Sequence, residues 1–212
     1  MKLRFIITAG PTREHIDPVR FISNPSSGRM GFAVAAAAAR RGHDVVIVAG
    51  PVSLKTPKGV KRIDVVSARD MLAAVQSEVG AGDQAASTFL IATAAVADWR
   101  PKVTAAKKLK KAQMTGILEL ERNPDILKTV TGCRKIGFAA ETGDAISEGQ
   151  RKCREKGLGM IVANDVTEEG AGFGVKTNRV AFITPDGNVQ RLPLMSKSAI
   201  GTRIVKFCES VV

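Results

Sequence analysis

Tyrosine is missing from this 212-residue chain, tryptophan occurs once, and eight phenylalanines supply the remaining aromatics. That is a poor set of stacking platforms for single-stranded nucleic acid. It also leaves no phenol for a Tyr–Lys proton relay. Cysteine is scarce as well: Cys133, Cys153 and Cys208 form no C-x-x-C pair. An odd, scattered count suits reduced thiols in a cytosol, packed as small hydrophobes, rather than a disulfide framework or a metal cluster. His15 and His43 are the only histidines and have no metal-ligand spacing. His43 follows a predicted helix end and reads as structural, whereas His15 lies in a long loop without a recognisable Ser or Cys partner. Long apolar runs are absent too. Phe32–Ala39 and Phe89–Ala97 fall short of the ~20 residues that a bilayer-crossing helix needs. The N-terminal MKLRFIITAGPTREH is too brief in its apolar part for a signal peptide. The expectation is a cytoplasmic protein without a membrane partner, folded as a single domain over 1–212.

Positive charge is in excess: 32 Lys+Arg against 20 Asp+Glu give a net +12. Such a field favours anionic partners. With so few aromatics, phosphate-rich small molecules are favoured over nucleic acid. A basic, non-enzymatic nucleic-acid binder is the rival from another class, and it predicts a salt-steep affinity and no turnover.

Strand and helix patterns alternate along the chain. Leu3–Ile7, Asp44–Val48, Val60–Val66 and the near-continuous apolar Thr88–Val96 read as strands, and such runs suit a parallel sheet covered on both faces. Met30–Arg41 is an alanine-rich helix closed by Gly42, and Ser67–Asp70 fits a capping box opening a helix to about Val79. Ile117–Leu120 is a predicted strand, and Asn123 is expected to cap a helix with Pro124 in its first turn. Lys135–Ala140 and Met160–Ala163 are strands around a helix at Asp144–Lys156. Arg179–Thr184 and Val189–Leu192 flank Pro185–Asn188 as a hairpin, and Ser196–Cys208 closes the chain as a helix. The expected class is α/β: a Rossmann-like, mostly parallel sheet flanked by helices, with an antiparallel β-hairpin and a lysine-rich flap loop.

Two connections, Thr8–Arg29 and Asp98–Gln113, are long and irregular by this reading, and both follow strand ends where ligands usually sit. In the first, Asn24, Ser26, Ser27 and Gly28 lead into a helix whose free N–H groups attract anions, with Arg13, Arg20 and Arg29 as fixed cations. An ordinary helix cap explains the same residues. Only Gly28 and Gly31 stand in register with G-x-G-x-x-G, so the dinucleotide fingerprint of the rival NAD(P)-dependent oxidoreductase fails; a Walker loop fails too. In the second, lysines 102, 107, 108, 110 and 111 form either a solvated run or a flap over polyphosphate. Asn123–Ile126 and Gly137–Thr142 fit a helix cap and a strand end as well as a site. Lys152 and Lys156 share one helix face, either around an anion or neutralised by Glu148 and Glu155.

In order, ITAGPTREHIDPVRFISNPSSGRMG, AGPVSL (49–54), ATAAVADWRP (92–101), KLKK (108–111), NPDI (123–126), GFAAET (137–142), ANDV (163–166) and FGVKTNRVAFI cover nearly the whole chain. Together they resemble phosphopantothenoylcysteine synthetase, the ligase of coenzyme A biosynthesis. The resemblance implies joining of 4′-phosphopantothenate to L-cysteine with CTP as co-substrate, through an acyl-cytidylate, releasing pyrophosphate and CMP. It implies Asn24 at the acyl-nucleotide, Arg20 and Ala95 beside the pantothenate part, and Lys108 as the catalytic cation. It also implies a nucleotide site of Ala94, Asp98, Lys108, Asn123, Pro124, Asp125, Ile126, Phe138, Lys152 and Lys156. Mg²⁺ would arrive with the nucleotide, with no protein metal ligand assigned. A homodimer is expected, with a functional link to a phosphopantothenoylcysteine decarboxylase. The chain begins directly at the synthetase segment, as a free-standing form or an excised domain would. Arg29 stands where the family carries lysine, so charge is kept although the two cations differ in detail.

Overall fold

The computed structural model describes residues 1–80, 85–111, 116–165, 167–168, 170–172 and 174–212. Ala112, Gln113, Val166 and Phe173, which belong to segments singled out above, lie outside the described residues. In chain order the elements are β1 (Arg4–Ala9), β2 (Arg13–His15), β3 (Phe21–Ser23), α1 (Arg29–Arg40), β4 (Asp44–Ala49), β5 (Lys61–Asp64), α2 (Ala68–Gly80), β6 (Thr88–Ala92), β7 (Trp99–Pro101) and β8 (Leu120–Arg122). They continue as α3 (Ile126–Thr129), β9 (Arg134–Glu141), α4 (Ala145–Glu155), β10 (Met160–Asp165), β11 (Thr177–Asn178), β12 (Ala181–Ile183), β13 (Val189–Arg191), β14 (Met195–Ser196) and α5 (Lys197–Ser210).

Among the described residues the main sheet runs β13-β12-β10-β9-β6-β1-β4-β5. Its pairings are parallel from β5 to β10 and antiparallel at β12 and β13. The two-residue alternation of strands, with both faces of the sheet covered, explains why β1 and β6 carry the continuous apolar runs Phe5–Ile7 and Phe89–Ile91. Phe5, Ile7, Ala9, Phe89 and Ile91 face α1 and α5, whereas Ile6 and Leu90 face Met71 and Val75 of α2 and Ile126 of α3. Cys153 of α4 packs with Leu158, Ile161 and Ile183 under the far side of the sheet. The Cys153 and Cys208 thiols are buried, and burial raises both above the ordinary thiol value, Cys208 the more strongly.

Local chemistry sets the boundaries. Gly42, at φ +82°, takes the left-handed position after α1. Ser67 Oγ accepts from the Asp70 N–H at 3.2 Å while the Asp70 carboxylate accepts from the Ser67 N–H at 2.9 Å, the reciprocal capping box expected at α2. His43 Nδ1 accepts from the Leu3 N–H at 3.2 Å and Nε2 lies 2.9 Å from Glu209, so this ring ties β1 to α5.

Five expectations change. The Thr8–Arg29 connection contains the β2–β3 hairpin, and the second long connection opens with β7, which pairs with β8. The strand placed at Ile117–Leu120 begins only at Leu120 and stays outside the main sheet, with Ile117 and Leu118 exposed. The cap of α3 is Asp125, which accepts from the Lys128 N–H, and not Asn123. The Asn123 side chain is committed elsewhere: Nδ2 donates to Ala97 O at 2.8 Å and Oδ1 accepts from Arg100 at 2.9 Å. Thr88–Val96 is strand only to Ala92, because the chain turns there to form the site.

Candidate functional site

The chain passes from β1 to β4 on one side of the sheet and later to β6 on the other. The crevice at the carboxyl ends of β1 and β6 is therefore a topological switch point, where α/β sheets bind ligands. Beyond β1, Gly10–Thr12 runs beside Ala95: the Ala95 N–H donates to Gly10 O at 2.9 Å and Pro11 bridges to Ala95. Asn24 closes this knot, its Nδ2 donating to Ala95 O at 3.1 Å. Ala94 N–H donates to Thr8 Oγ1 at 3.3 Å, and Ala97 N–H to Thr12 Oγ1 at 3.0 Å. Thr8 and Thr12 are buried threonines whose hydroxyls fix the site backbone. They drew no attention in the sequence because each looks like an ordinary strand or turn residue.

Helix α1 opens onto the same crevice. Gly28 precedes it in the left-handed region at φ +75°, no side chain caps it, and its first turn has no acidic residue. Among the described residues nothing accepts the backbone N–H groups of Arg29, Met30 or Gly31. Those orphan donors and the helix dipole make a local positive end. Gly31 lets the helix sit directly on the strand ends, since a Cβ there would lie 2.6 Å from Ala9 Cβ.

The lysine strap is fastened to the tip of the β2–β3 hairpin by a residue that the sequence reading missed, Asp17. Its buried carboxylate accepts from the N–H groups of Val19 (2.8 Å), Arg20 (2.9 Å) and Leu109 (3.2 Å) and from the Arg20 guanidinium (2.6 Å). Burial alone raises such a carboxyl, but these donors outweigh it and hold Asp17 well below the usual range. Arg20 also donates to Leu109 O at 2.7 Å. Lys108, Leu109 and Lys110 thus line a cavity with Val19 and Arg20, and Lys108 itself is exposed. Arg20 and Asn24 flank β3, whose three residues span about 10 Å. No described contact joins Lys108 to Asn24. The Asp-Pro pair at 17–18 was the available signal for this anchor, as Asx turns before proline are common.

The remaining expected residues gather at the ends of β6, β9 and α3. Asn123 N–H donates to Asp98 O at 2.8 Å, which brings Asp98, Asn123 and Pro124 beside Ala97. Lys156 pairs with Asp125 at 2.9 Å and Lys152 with Glu141 at 2.5 Å. Glu148 and Glu155 instead pair with Arg151, so the neutralising partners suggested by helix spacing are corrected to Glu141 on β9 and Asp125, the cap of α3. Asp125 is pushed up by burial but more strongly down by Lys156 and the Lys128 N–H, and lies below the ordinary carboxylate value. Ile126 is buried against α2, and Phe138 lines the crevice opposite Ser26, Ser27 and Gly28. Among the described residues no group of three His, Cys, Asp or Glu side chains is placed to hold a metal ion.

The architecture and the ordered segments have counterparts. Residues 1–211 match the family described as DNA/pantothenate metabolism flavoprotein C-terminal domain. The coenzyme A biosynthesis bifunctional protein CoaBC of Bacillus subtilis (strain 168) is 47% identical over 206 residues, covering 95% of this chain and 50% of that protein. The corresponding Escherichia coli (strain K12) protein is 45% identical over 207 residues, with 94% and 50% covered. The chain thus spans about half the length of the curated relatives it matches. The crystal structure of the C-terminal domain of a CoaBC protein superposes with a TM-score of 0.81 at 42% identity, covering 98% of this chain and 94% of that one. Coverage of this extent, at this identity and with the same fold, places the chain in the DNA/pantothenate metabolism flavoprotein C-terminal domain family.

Proposed function

We propose that this chain is a phosphopantothenate–cysteine ligase that activates 4′-phosphopantothenate with CTP. The substrate carboxylate attacks the α-phosphorus, the bond to the β-phosphate breaks, and pyrophosphate leaves. The amine of L-cysteine then attacks the acyl carbon of the acyl-cytidylate, CMP departs with the bridging oxygen, and the amine loses a proton. No protein nucleophile is required.

The difficulty is electrostatic. Two unit negative charges 4 Å apart repel by ~4 kcal/mol at an effective dielectric of about 20, and carboxylate plus triphosphate presents several such pairs. Preformed donors and cations offset that cost in the transition state. One observation carries the reading: Asn24 is bonded to Ala95 at the switch point beside the uncapped mouth of α1, and the lysine strap is tied through Arg20 to the same β2–β3 hairpin that leads into Asn24.

In this reading Lys108 stabilises charge on the transferring phosphoryl group and Asn24 orients the acyl-nucleotide. Arg20 and Ala95 hold the pantothenate part. Ala94, Asp98, Asn123–Ile126, Phe138, Lys152 and Lys156 hold the nucleotide. Any Mg²⁺ fits best as an ion bound by the triphosphate itself, given that no described cluster would cage it. A homodimer is supported by exposed apolar side chains on the two hairpins, among them Val19, Phe21, Trp99, Val103 and Leu120. Because the relatives are bifunctional by name, a linked decarboxylase is proposed as the metabolic neighbour. A cytoplasmic location fits a chain in which no described helix is long and apolar enough to cross a membrane.

Pyrophosphate release from CTP tests the reading. It is expected to depend on 4′-phosphopantothenate, with continued turnover requiring cysteine. Salt-steep DNA or RNA binding without any CTP turnover would replace this reading with the nucleic-acid one.

A further inference from the structure

The first long connection holds a buried carboxylate that the ligase chemistry leaves unused. Glu14, the middle residue of β2, is only 3% exposed. Its Oε1 accepts from the N–H of Ala68, the first residue of α2, at 2.9 Å and 54 positions along the chain. The Ser67–Asp70 box serves the same helix end from within its own segment. Beside Glu14, the Arg13 N–H donates to Val66 O at 2.8 Å. Two neighbouring bonds thus moor β2 to the segment that opens α2. A charged oxygen suits this place, because a helix amino end carries unsatisfied N–H groups and a positive dipole.

Other bonds of the same hairpin lead to the site. Thr12 precedes β2, and its N–H donates to Ala95 O at 3.4 Å, the carbonyl that Asn24 also uses. Ser23 Oγ donates to Thr12 O at 2.7 Å and closes the root of the hairpin. Glu14 stands opposite Ile22 in the ladder, and Asn24 follows two residues later. At the tip, Asp17 and Arg20 hold the strap at Leu109. One short ladder therefore carries Asn24 at its root and the lysine strap at its tip. A two-stranded ribbon of this length is marginal on its own, so its placement depends on its moorings. Helix α2 is a firm one, because Met71 and Val75 pack it against the sheet.

We propose that Glu14 is a positioning residue of the ligase: it fixes the β2–β3 hairpin to α2, and through the hairpin it places both Asn24 and the lysine strap. This rests on the ligase reading and extends it, because the two groups serve different steps there. The strap serves attack on the nucleotide, and Asn24 serves coupling of the acyl-cytidylate. Glu14 acts through the hairpin and not on a reactant. Its signature is a joint loss of two steps that Lys108→Gln and Asn24→Asp lose separately. Glu14 escaped the sequence reading because a glutamate between arginine and histidine in a loop reads as a solvated charge.

The test compares wild type, Glu14→Leu, Glu14→Gln and Ala68→Pro as full chains, by melting, amide exchange and the two half-reactions. Leucine removes the acceptor and keeps the space filled, whereas glutamine keeps an acceptor oxygen. Proline removes the Ala68 N–H at the helix position where proline is favoured. Without cysteine, the first turnover of CTP with 4′-phosphopantothenate reads attack. Cysteine added to the acyl-cytidylate so formed reads coupling. Displacement of the hairpin is expected to slow both steps at least about tenfold in Glu14→Leu and Ala68→Pro, with each KM within about threefold. Glu14→Gln is expected to recover most of both rates. Amide exchange over residues 13–23, which needs no CTP, is expected to quicken at least about tenfold in Glu14→Leu. Should that variant fail to fold, Ala68→Pro carries the comparison. A lower melting temperature with both rates intact, or the loss of one step alone, overturns the positioning role. Exchange at the wild-type rate overturns the tether itself. A wild-type chain that forms no acyl-cytidylate removes the ligase reading, and the exchange result then decides by itself whether Glu14 holds the hairpin.

Discussion

Replacing Gly31 by alanine adds one methyl group at the point where α1 rests on the sheet. Its Cβ would lie 2.5 Å from Thr93 Oγ1, 2.6 Å from Ala9 Cβ and 3.1 Å from Thr8 O. Ordinary contact needs about 3.5–4.0 Å, so something must move by about 1 Å. Ala9 belongs to the central strand β1, and Thr93 Oγ1 is held to Thr8 O at 2.6 Å, so the movement falls on the helix. Overpacking of this kind costs about 1–3 kcal/mol. At about 2–4 °C per kcal/mol for a domain of this size, the melting temperature falls by about 2–12 °C. The helix mouth moves with α1, and a misplacement of about 1 Å in a reacting site costs about 10²-fold in turnover. Circular dichroism melting and pyrophosphate release measure the two effects. Gly159→Ala, whose Cβ meets only Lys135 O at 3.7 Å, is the control and is expected to stay within about 0.5 kcal/mol of wild type. A Gly31→Ala chain that melts and turns over like wild type refutes the claim that this contact positions the mouth.

Lys108→Gln removes an exposed cation from the strap, so turnover is expected to fall at least about 10²-fold with the melting temperature unchanged. An unaltered rate removes Lys108 from the mechanism. Asn24→Asp replaces the donor to Ala95 O by an acceptor, and acyl-cytidylate is expected to accumulate and be visible by mass spectrometry. Normal formation and consumption of that intermediate would contradict the role. Asp17→Asn releases Arg20 and Leu109, and faster tryptic cleavage within Lys107–Lys111 is the expected readout; an unchanged cleavage rate argues against the anchor. The Asp17 carboxyl titrates lower in the folded chain than in the unfolded one. Its stabilisation is therefore present above the unfolded value of about 3.9 and is lost as pH falls below it. Wild-type stability should drop more steeply than that of Asp17→Asn on acidification below about pH 4, and parallel curves would remove Asp17 as the source.

Much of the scaffold was legible because its signals are local. Gly42 after an alanine-rich run, the Ser67–Asp70 box and Pro185–Asn188 between two apolar runs each specify a turn or cap from adjacent residues. All three are found in the structure. The Asn123 cap failed because an asparagine before Pro-Asp carries the same local signal whether it caps a helix or bonds to Ala97 and Arg100. The site was less legible where it depends on distant partners. Asp17 meets Leu109 and Glu14 meets Ala68 across intervening chain, and Lys152 and Lys156 find carboxylates off their own helix. Helix periodicity shows which side chains share a face, but not what the fold lays against that face.

The fate of one oxygen atom tests the proposed chemistry most directly. With both carboxylate oxygens of 4′-phosphopantothenate labelled with ¹⁸O, attack on the α-phosphorus followed by amine displacement must carry one labelled oxygen into CMP and leave one in the amide. Mass spectrometry of the products is expected to find a single ¹⁸O in every CMP formed and none in pyrophosphate. Unlabelled CMP, or label in the pyrophosphate, would contradict the account.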